Sequence, residues 1–405
     1  MQPRFVILAH VPTDSINLGF IPAIRRRGLP LLLVTDQPER HRKLIADGLL
    51  RADELLAADV FNPLAVLNAL AERQIAPLAV FGNSDHLQSA TAIVGSFFGL
   101  PGKDWRACLR AKNKLMMRQT IQTAGLDNPW FRCVSRVQEL DDVPLPCIVK
   151  PVEGVASEDV SLVQSREELK HVCRAFWQLH PGQALLLEEY LAGPLHTLET
   201  LGDGVRLEVM GSFETFLSPP PAFIELGQRL QRHAPPEVEA VVLAQLRALG
   251  VGFGSCHTEF VLTERGPRLI EVNYRNIGDH SDFLLAQALG FELFDAVIGL
   301  YLGEPLPTLP ERALGARIHC QSAEHSGIVT QVPEACRLER DGCRIEFTPL
   351  CKRGDRIEQQ HSNRDYLGIL CVTGPSDTLL DEILDTLTDE LKVIIEPCTD
   401  AQEAA

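Results

Sequence analysis

No two of this chain's 11 cysteines stand in a CxxC spacing, and their odd, scattered set builds neither a zinc site nor a disulfide framework. They read as reduced thiols, mostly buried, of a cytoplasmic protein. Long apolar runs are also missing. Phe5-Val6-Ile7-Leu8-Ala9 is far shorter than a signal-peptide core, and nothing approaches a membrane span, so neither secretion nor insertion is expected. Positive charge is scarce: 38 Lys and Arg face 54 Asp and Glu, a formal charge of −16. Such a surface repels nucleic acid and anionic membranes, which excludes both as partners. Any nucleotide site must therefore make its own local positive field. Internal repeats and low-complexity tracts are absent too.

What is present is an ordinary globular composition, 45% hydrophobic and 23% charged, over 405 residues. That length exceeds one ordinary core, and about two or three domains are expected. The first hundred residues alternate short apolar runs, Phe5–Ala9, Leu31–Thr35 and Leu78–Phe81, with helical patterns near Ile21–Arg27 and Pro63–Arg73. This predicts a doubly wound α/β domain whose strand ends open onto His10-Val11-Pro12-Thr13 and Gly82-Asn83-Ser84-Asp85, the usual place for ligands. After Leu100-Pro101-Gly102 the pattern predicts a helix over 105–124, a strand at Cys147–Lys150, a helix over 166–179 and a strand over 184–188. Helices over 237–249 and 282–302 follow, then β-like pieces at 316–320 and 368–372 and a last helix over 377–392. Gly250-Val251-Gly252-Phe253-Gly254 follows a helix and precedes a strand, the reverse of a dinucleotide fingerprint, and reads as a helix cap and turn.

The most informative stretch is Cys256-His257-Thr258-Glu259-Phe260-Val261, followed by Leu269-Ile270-Glu271-Val272-Asn273-Tyr274-Arg275. Two apolar runs flank the turn-like Thr263-Glu264-Arg265-Gly266-Pro267 and predict a β-hairpin. Glu271, Asn273 and Arg275 share a face, because strand side chains alternate with period two. Glu259 can join them from the neighbouring strand. Oxygen ligands of this kind suit Mg²⁺, and a fixed cation beside them suits a transferring phosphoryl group. Taken alone, the same pattern is a hairpin with solvent-facing charges. His257 shares the Glu259 face unless the strand is bulged between them. A second signal is Pro146-Cys147-Ile148-Val149-Lys150-Pro151, where a lysine ending a buried strand needs an anionic partner such as triphosphate.

In this order the elements resemble the ATP-grasp superfamily, in its carboxylate–amine (L-amino acid ligase-like) branch. Ala111-Lys112-Asn113-Lys114-Leu115-Met116-Met117-Arg118 is similar to that family's D-K-x-x-M-R helix start, with Asn113 for the commoner Asp. Leu185-Leu186-Leu187-Glu188-Glu189-Tyr190-Leu191-Ala192-Gly193-Pro194 is similar to its adenine-gripping hinge. The resemblance implies an N-terminal α/β domain over 1–101, an ATP-grasp domain over 102–304 with a lid of about 112–187, and a C-terminal α+β segment over 305–398. It implies ATP with Mg²⁺ or Mn²⁺ as cofactors, Lys114, Lys150 and Ser157 on the phosphates, and Glu188, Tyr190 and Leu191 on adenine. Glu259, Glu271 and Asn273 become metal ligands, Arg275 the reaction-centre arginine, and His280 a substrate-side residue. Two departures stand out. The loop Glu153–Asp159 keeps only Gly154 of the family's several glycines, and Leu195 replaces the acidic residue that binds ribose in many relatives. Arg206, His233 and Arg317 are further carboxylate contacts without a motif, and the role of Glu199 is open.

The activity implied is ADP-forming ligation of a small carboxylic acid to an amine, through an acylphosphate, with a homodimer through the N-terminal domain as the analogous assembly. A carboxylate kinase-like enzyme and a non-catalytic nucleotide-binding regulator or scaffold stand as alternatives.

Overall fold

Apolar runs without alternation need cover on both faces, and the N-terminal segment supplies it. In the computed structural model, which describes residues 3–154, 158–220, 222–231, 234–311 and 314–397, four strands here form a parallel sheet. Its order is Glu54–Ala57, Leu31–Thr35, Pro3–Leu8, Ala76–Phe81. Leu31 to Thr35 are all buried between flanking helices. Glu54–Ala57 escapes the sequence reading, since only Leu55 and Leu56 mark it. Ser157 and His233 lie outside the described residues.

The helix expected over 105–124 is broken. Trp105–Lys112 and Lys114–Thr123 are separate helices, because Asn113 takes an extended conformation (φ −90°, ψ 106°) and caps the second one. Its side-chain oxygen accepts from the Met116 N–H at 2.9 Å, the bond that makes asparagine a favoured helix start. The break sets Lys114 at the first helical position, facing inward. The helix expected over 282–302 is likewise two, Ser281–Leu289 and Leu293–Tyr301, bent by 100° after Gly290, whose φ is +61°.

The expected lid contains a four-stranded antiparallel sheet in the order Phe131–Val134, Leu185–Glu189, Cys147–Pro151, Ser161–Val163. The helix Arg166–Leu179 covers it with Leu169, Cys173 and Phe176. Nine further strands form one antiparallel sheet that starts at the hairpin Phe253–Thr263/Gly266–Asn273, and Arg356–Ile357, Gly327–Gln331 and Ile394–Glu396 form a separate small sheet. The nine-stranded sheet runs on through Leu195–Asp203, Leu207–Leu217 and Glu225–Gln231 to Gly315–Ser322 and the C-terminal strands. The sheet thus passes straight through the 304/305 boundary, with Gly227 opposite His319. The core is shared as well: Phe20 and Phe81 of the N-terminal layer join Phe213, Ile318 and Ile369 of the large sheet in one cluster. The ten described cysteines are free thiols. Among the described residues, no single helix is long and apolar enough to cross a membrane.

At the seam where the C-terminal strands join, a Cβ on Gly227 would lie 2.6 Å from the Ile318 carbonyl oxygen. Backbone cannot yield as a flexible side chain does, so Gly227→Ala is expected to destabilise by about 1–3 kcal/mol. A lowered thermal unfolding midpoint checks this, and an unchanged midpoint contradicts it.

Candidate active site

The hairpin sets the first half of the site. Glu259 stands opposite Glu271 and His257 opposite Asn273, and the register shift falls after Glu259. His257 and Glu259 therefore keep a common face, and His257 Nε2 lies 3.3 Å from Glu259 Oε1. His257 Nδ1 lies 2.7 Å from Glu199 on the next strand, which gives that acidic residue its place. Burial lowers the His257 pKa, but Glu199 and Glu259 outweigh it and push it up to about 10. The two carboxylates on either side thus favour the protonated ring. Asn273 Nδ2 lies 3.0 Å from Glu259 Oε1, which closes the ligand set expected from sequence.

Lysines and an arginine form the second half. Lys114 Nζ reaches Glu271 Oε1 at 2.9 Å and the Gly154 carbonyl at 3.3 Å. Lys150 Nζ lies 2.6 Å from Glu188 Oε2. Arg118, fully buried, donates to both oxygens of Glu188 at 2.6 and 3.2 Å, and to the Leu269 carbonyl at 2.7 Å. Burial raises the Glu188 carboxyl, yet Arg118 and Lys150 overcome it and hold it down at about 2. Both oxygens of Glu188 are thus engaged by cations, which makes it a buried counter-ion more than an acceptor for an adenine amino group. Burial, together with Arg118 and Lys114, draws Lys150 below its ordinary value despite Glu188. Lys114 and Lys150 are the cations that an anionic ligand would meet here, each already facing a carboxylate, Glu271 and Glu188.

Two cavities meet at these residues. The first, about 440 Å³, is lined by Lys114, Lys150 and Glu188, by the hinge residues Glu189, Tyr190 and Leu191, and by apolar Ile148, Leu195, Val261 and Ile270. The second, about 340 Å³, is polar and includes His257, Asn273, Arg275, Asp279 and Gln228. Glu225, Glu259 and Glu271 line both. Hinge geometry rests on Gly193, at φ +149°, whose Cβ would lie 2.4 Å from the Leu262 carbonyl oxygen.

Several lining residues come from segments remote in sequence from the hairpin and the lysines. Asp85, in the strand-end loop of the N-terminal layer, accepts from Arg275 Nε at 2.8 Å. Burial raises its carboxyl, but Arg275 and Lys112 leave it below the ordinary value. The other strand-end loop is turned elsewhere, with His10 against Asp36 at 2.9 Å. Asn363 and Arg364, in a single helical turn, and Tyr366, which opens the strand Tyr366–Gly374, enter from the C-terminal segment. Glu225 accepts from Asn363 Nδ2 at 3.0 Å and Gln228 Nε2 at 3.3 Å. Burial, then repulsion from Glu259 and Asp279, pushes its carboxyl up to about 7. His280 departs from expectation: successive positive φ values at Asp279 (51°) and His280 (64°) turn its ring to Asp14 at 2.9 Å. Its neighbours Asp279 and Ser281, not His280, line the cavity. Arg206 and Arg317 are also occupied elsewhere, on the Leu306 carbonyl and on Asp377 and Asp381.

Two carboxylates and an amide, all hard oxygen donors at the junction of the cavities, fit the one or two carboxylates that Mg²⁺ takes from protein. Among the described residues no group of three His, Cys, Asp or Glu is placed to hold a metal alone.

Against known proteins, residues 111–279 match the family described as an ATP-grasp domain. An uncharacterized protein of Sinorhizobium fredii is 26% identical over 426 positions, covering 100% of this chain and 85% of that protein. Carnosine synthase 1 of Gallus gallus is 28% identical over 350 positions, covering 78% of this chain but only 37% of that relative's length. The crystal structure of an L-amino acid ligase from Bacillus licheniformis shares the fold, with a TM-score of 0.80, 19% identity and coverage of 98% of this chain and 100% of that one.

Removing the shared counter-ion leaves two cations buried without a carboxylate, so Glu188→Gln is expected to cost about 3–5 kcal/mol at neutral pH. The Glu188 pKa of about 2 lies below its ordinary 4.5, so its stabilisation is full above 4.5 and is lost as pH falls towards 2. Denaturant titrations of both proteins across that window check this: the gap between them is expected to close with acid, and a constant gap contradicts the assignment.

Proposed function

Because residues 111–279 match the ATP-grasp domain family, we propose that this protein is an ATP- and Mg²⁺-dependent ligase that joins a small carboxylic acid to an amine. The observation that carries the reading is the meeting of an apolar-walled cavity flanked by Lys114 and Lys150 with a polar cavity holding Arg275, across Glu225, Glu259 and Glu271. The first suits a nucleotide: a flat base against Ile148, Leu195 and Ile270, its edge on the hinge backbone at Tyr190 and Leu191, its phosphates on the lysines. The second suits the reacting acid and amine. The likeness to carnosine synthase and to an L-amino acid ligase supports an amino acid or related metabolite as substrate.

In the proposed reaction a carboxylate oxygen attacks the γ-phosphorus of ATP and ADP leaves, giving an acylphosphate. The amine nitrogen then attacks the acyl carbon, and phosphate leaves with that carboxylate oxygen as the amide forms. Lys114 and Lys150 hold the phosphates as point charges. Glu259, Glu271 and Asn273 would hold Mg²⁺, which when bound offsets charge on the phosphate oxygens. His257, as a fixed imidazolium between Glu199 and Glu259, keeps Glu259 ionised and oriented. Arg275, fixed by Asp85, stabilises charge on the transferring phosphoryl group and then on the tetrahedral oxyanion. The lid strands, bearing Lys150, screen the intermediate from water.

The test is ADP and phosphate release from Mg²⁺-ATP with pooled amino acids and small carboxylic acids. Release that requires both an acid and an amine is expected, and Arg275→Ala is expected to lower it by about 100-fold or more. Release with acid alone, yielding a stable acyl phosphate, would instead indicate a carboxylate kinase, and ATP binding without turnover would indicate a regulator.

A further inference from the structure

Lys103 lies outside both cavities, is buried to 7% exposure, and among the described residues faces no carboxylate within bonding distance. Its ammonium donates to Gln88 Oε1 at 2.8 Å and to the Tyr274 carbonyl, and sits 4.4 Å over the Tyr274 ring. Gly254, with φ +70°, leaves room for its stem, since a Cβ there would lie 3.1 Å from Lys103 Cε. A cation held without a counter-ion in this setting is costly, and an apolar side chain would be the cheaper filling. Burial draws its pKa down to about 8, in keeping with that cost.

The partners of Lys103 lead in two directions that meet again. Gln88 donates to the carbonyls of Gly82 and Ser84, both at 2.9 Å, which fixes the loop that carries Asp85. Within that loop the Asn83 oxygen accepts from the Asn276 N–H at 3.1 Å. Tyr274 precedes Arg275, and Arg275 bonds Asp85 at 2.8 Å and the Asn276 carbonyl at 2.7 Å. The bonds close a circuit across the boundary between the N-terminal layer and the hairpin: Lys103, Gln88, loop 82–85, Arg275, Tyr274 and back.

We infer that Lys103 is a positioning residue for Arg275, setting the guanidinium through this circuit without touching substrate. The inference rests on the ligase reading for its consequence in turnover, but the geometry it claims is measurable without any substrate.

The test uses full-length protein labelled with ¹⁵N-arginine. The Arg275 Nε–H signal is identified by its loss in Arg275→Lys, and the Arg118 Nε–H, bonded to Glu188, serves as an internal control. Lys103→Met, and Gln88→Ala as a milder cut in the same circuit, are expected to speed solvent exchange of the Arg275 proton by about tenfold or more while leaving Arg118 unchanged. With the acid–amine pair found by ADP release, both variants are expected to lower kcat by about 10- to 100-fold with KM for ATP within about twofold, the scale of a small misplacement. An unchanged Arg275 signal in both variants, or equal loosening of Arg118, overturns the inference. If Lys103→Met does not fold, Gln88→Ala decides, and failure of both to fold assigns Lys103 to folding alone. Absence of turnover in the wild-type protein would count against the ligase reading, and the exchange measurement would still judge the circuit.

Discussion

The bond network of Arg118 is the constraint on which the rest of the site depends. This side chain starts from the helix Lys114–Thr123, grips both oxygens of Glu188 on the strand Leu185–Glu189, and reaches the Leu269 and Ile270 carbonyls of the hairpin. Three pieces of chain that each carry part of the site are therefore held by one guanidinium, whose rigid fork suits this multiple contact. Glu188 is the pivot of that arrangement. A buried carboxylate is affordable only because Arg118 and Lys150 face it together.

Charge at the site departs from the trend of the chain only locally. A protein of net charge −16 brings Lys114 and Lys150 to the first cavity and Arg275 and Arg364 to the second, among Glu225, Glu259 and Glu271, which line both. Each of these cations faces a carboxylate: Lys114 meets Glu271, Lys150 meets Glu188, Arg275 meets Asp85 and Arg364 meets Glu158. Their positions follow from architecture: Lys114 opens the helix Lys114–Thr123 and Lys150 lies on the strand Cys147–Pro151, while Glu225, Glu259 and Glu271 come from the large sheet and Asp85 from the loop of the N-terminal layer.

Local sequence made much of this legible, and topology explains the remainder. The hairpin was readable because period-two alternation puts Glu271 and Asn273 on one face; Arg275 lies past the strand end at Asn273 and lines the same cavity from a turn. The side of His257 stayed open in the sequence, which does not show where a bulge falls; the register shift lies after Glu259 and keeps the two on one face. Lys150 was readable as a charge at the end of an apolar strand. Asp85 stood in a flagged loop, but its pairing with Arg275 spans 190 residues and leaves no local trace. Asn363, Arg364 and Tyr366 enter because the large sheet continues into the C-terminal segment, which their own neighbourhood does not announce. His280 misled for the converse reason: proximity in sequence to Arg275 does not survive two successive left-handed residues. The broken helix at Asn113 shows the same limit, since one capping side chain overrides a helical pattern on both sides.

The central claim is that phosphate is transferred to a carboxylate before the amide bond forms. Its most direct measurement supplies the acid with ¹⁸O in its carboxylate and follows the label by mass spectrometry of the released phosphate. One ¹⁸O per phosphate is the predicted result, because the leaving phosphate carries away the oxygen that attacked ATP. Amide product accompanied by unlabelled phosphate would contradict the account.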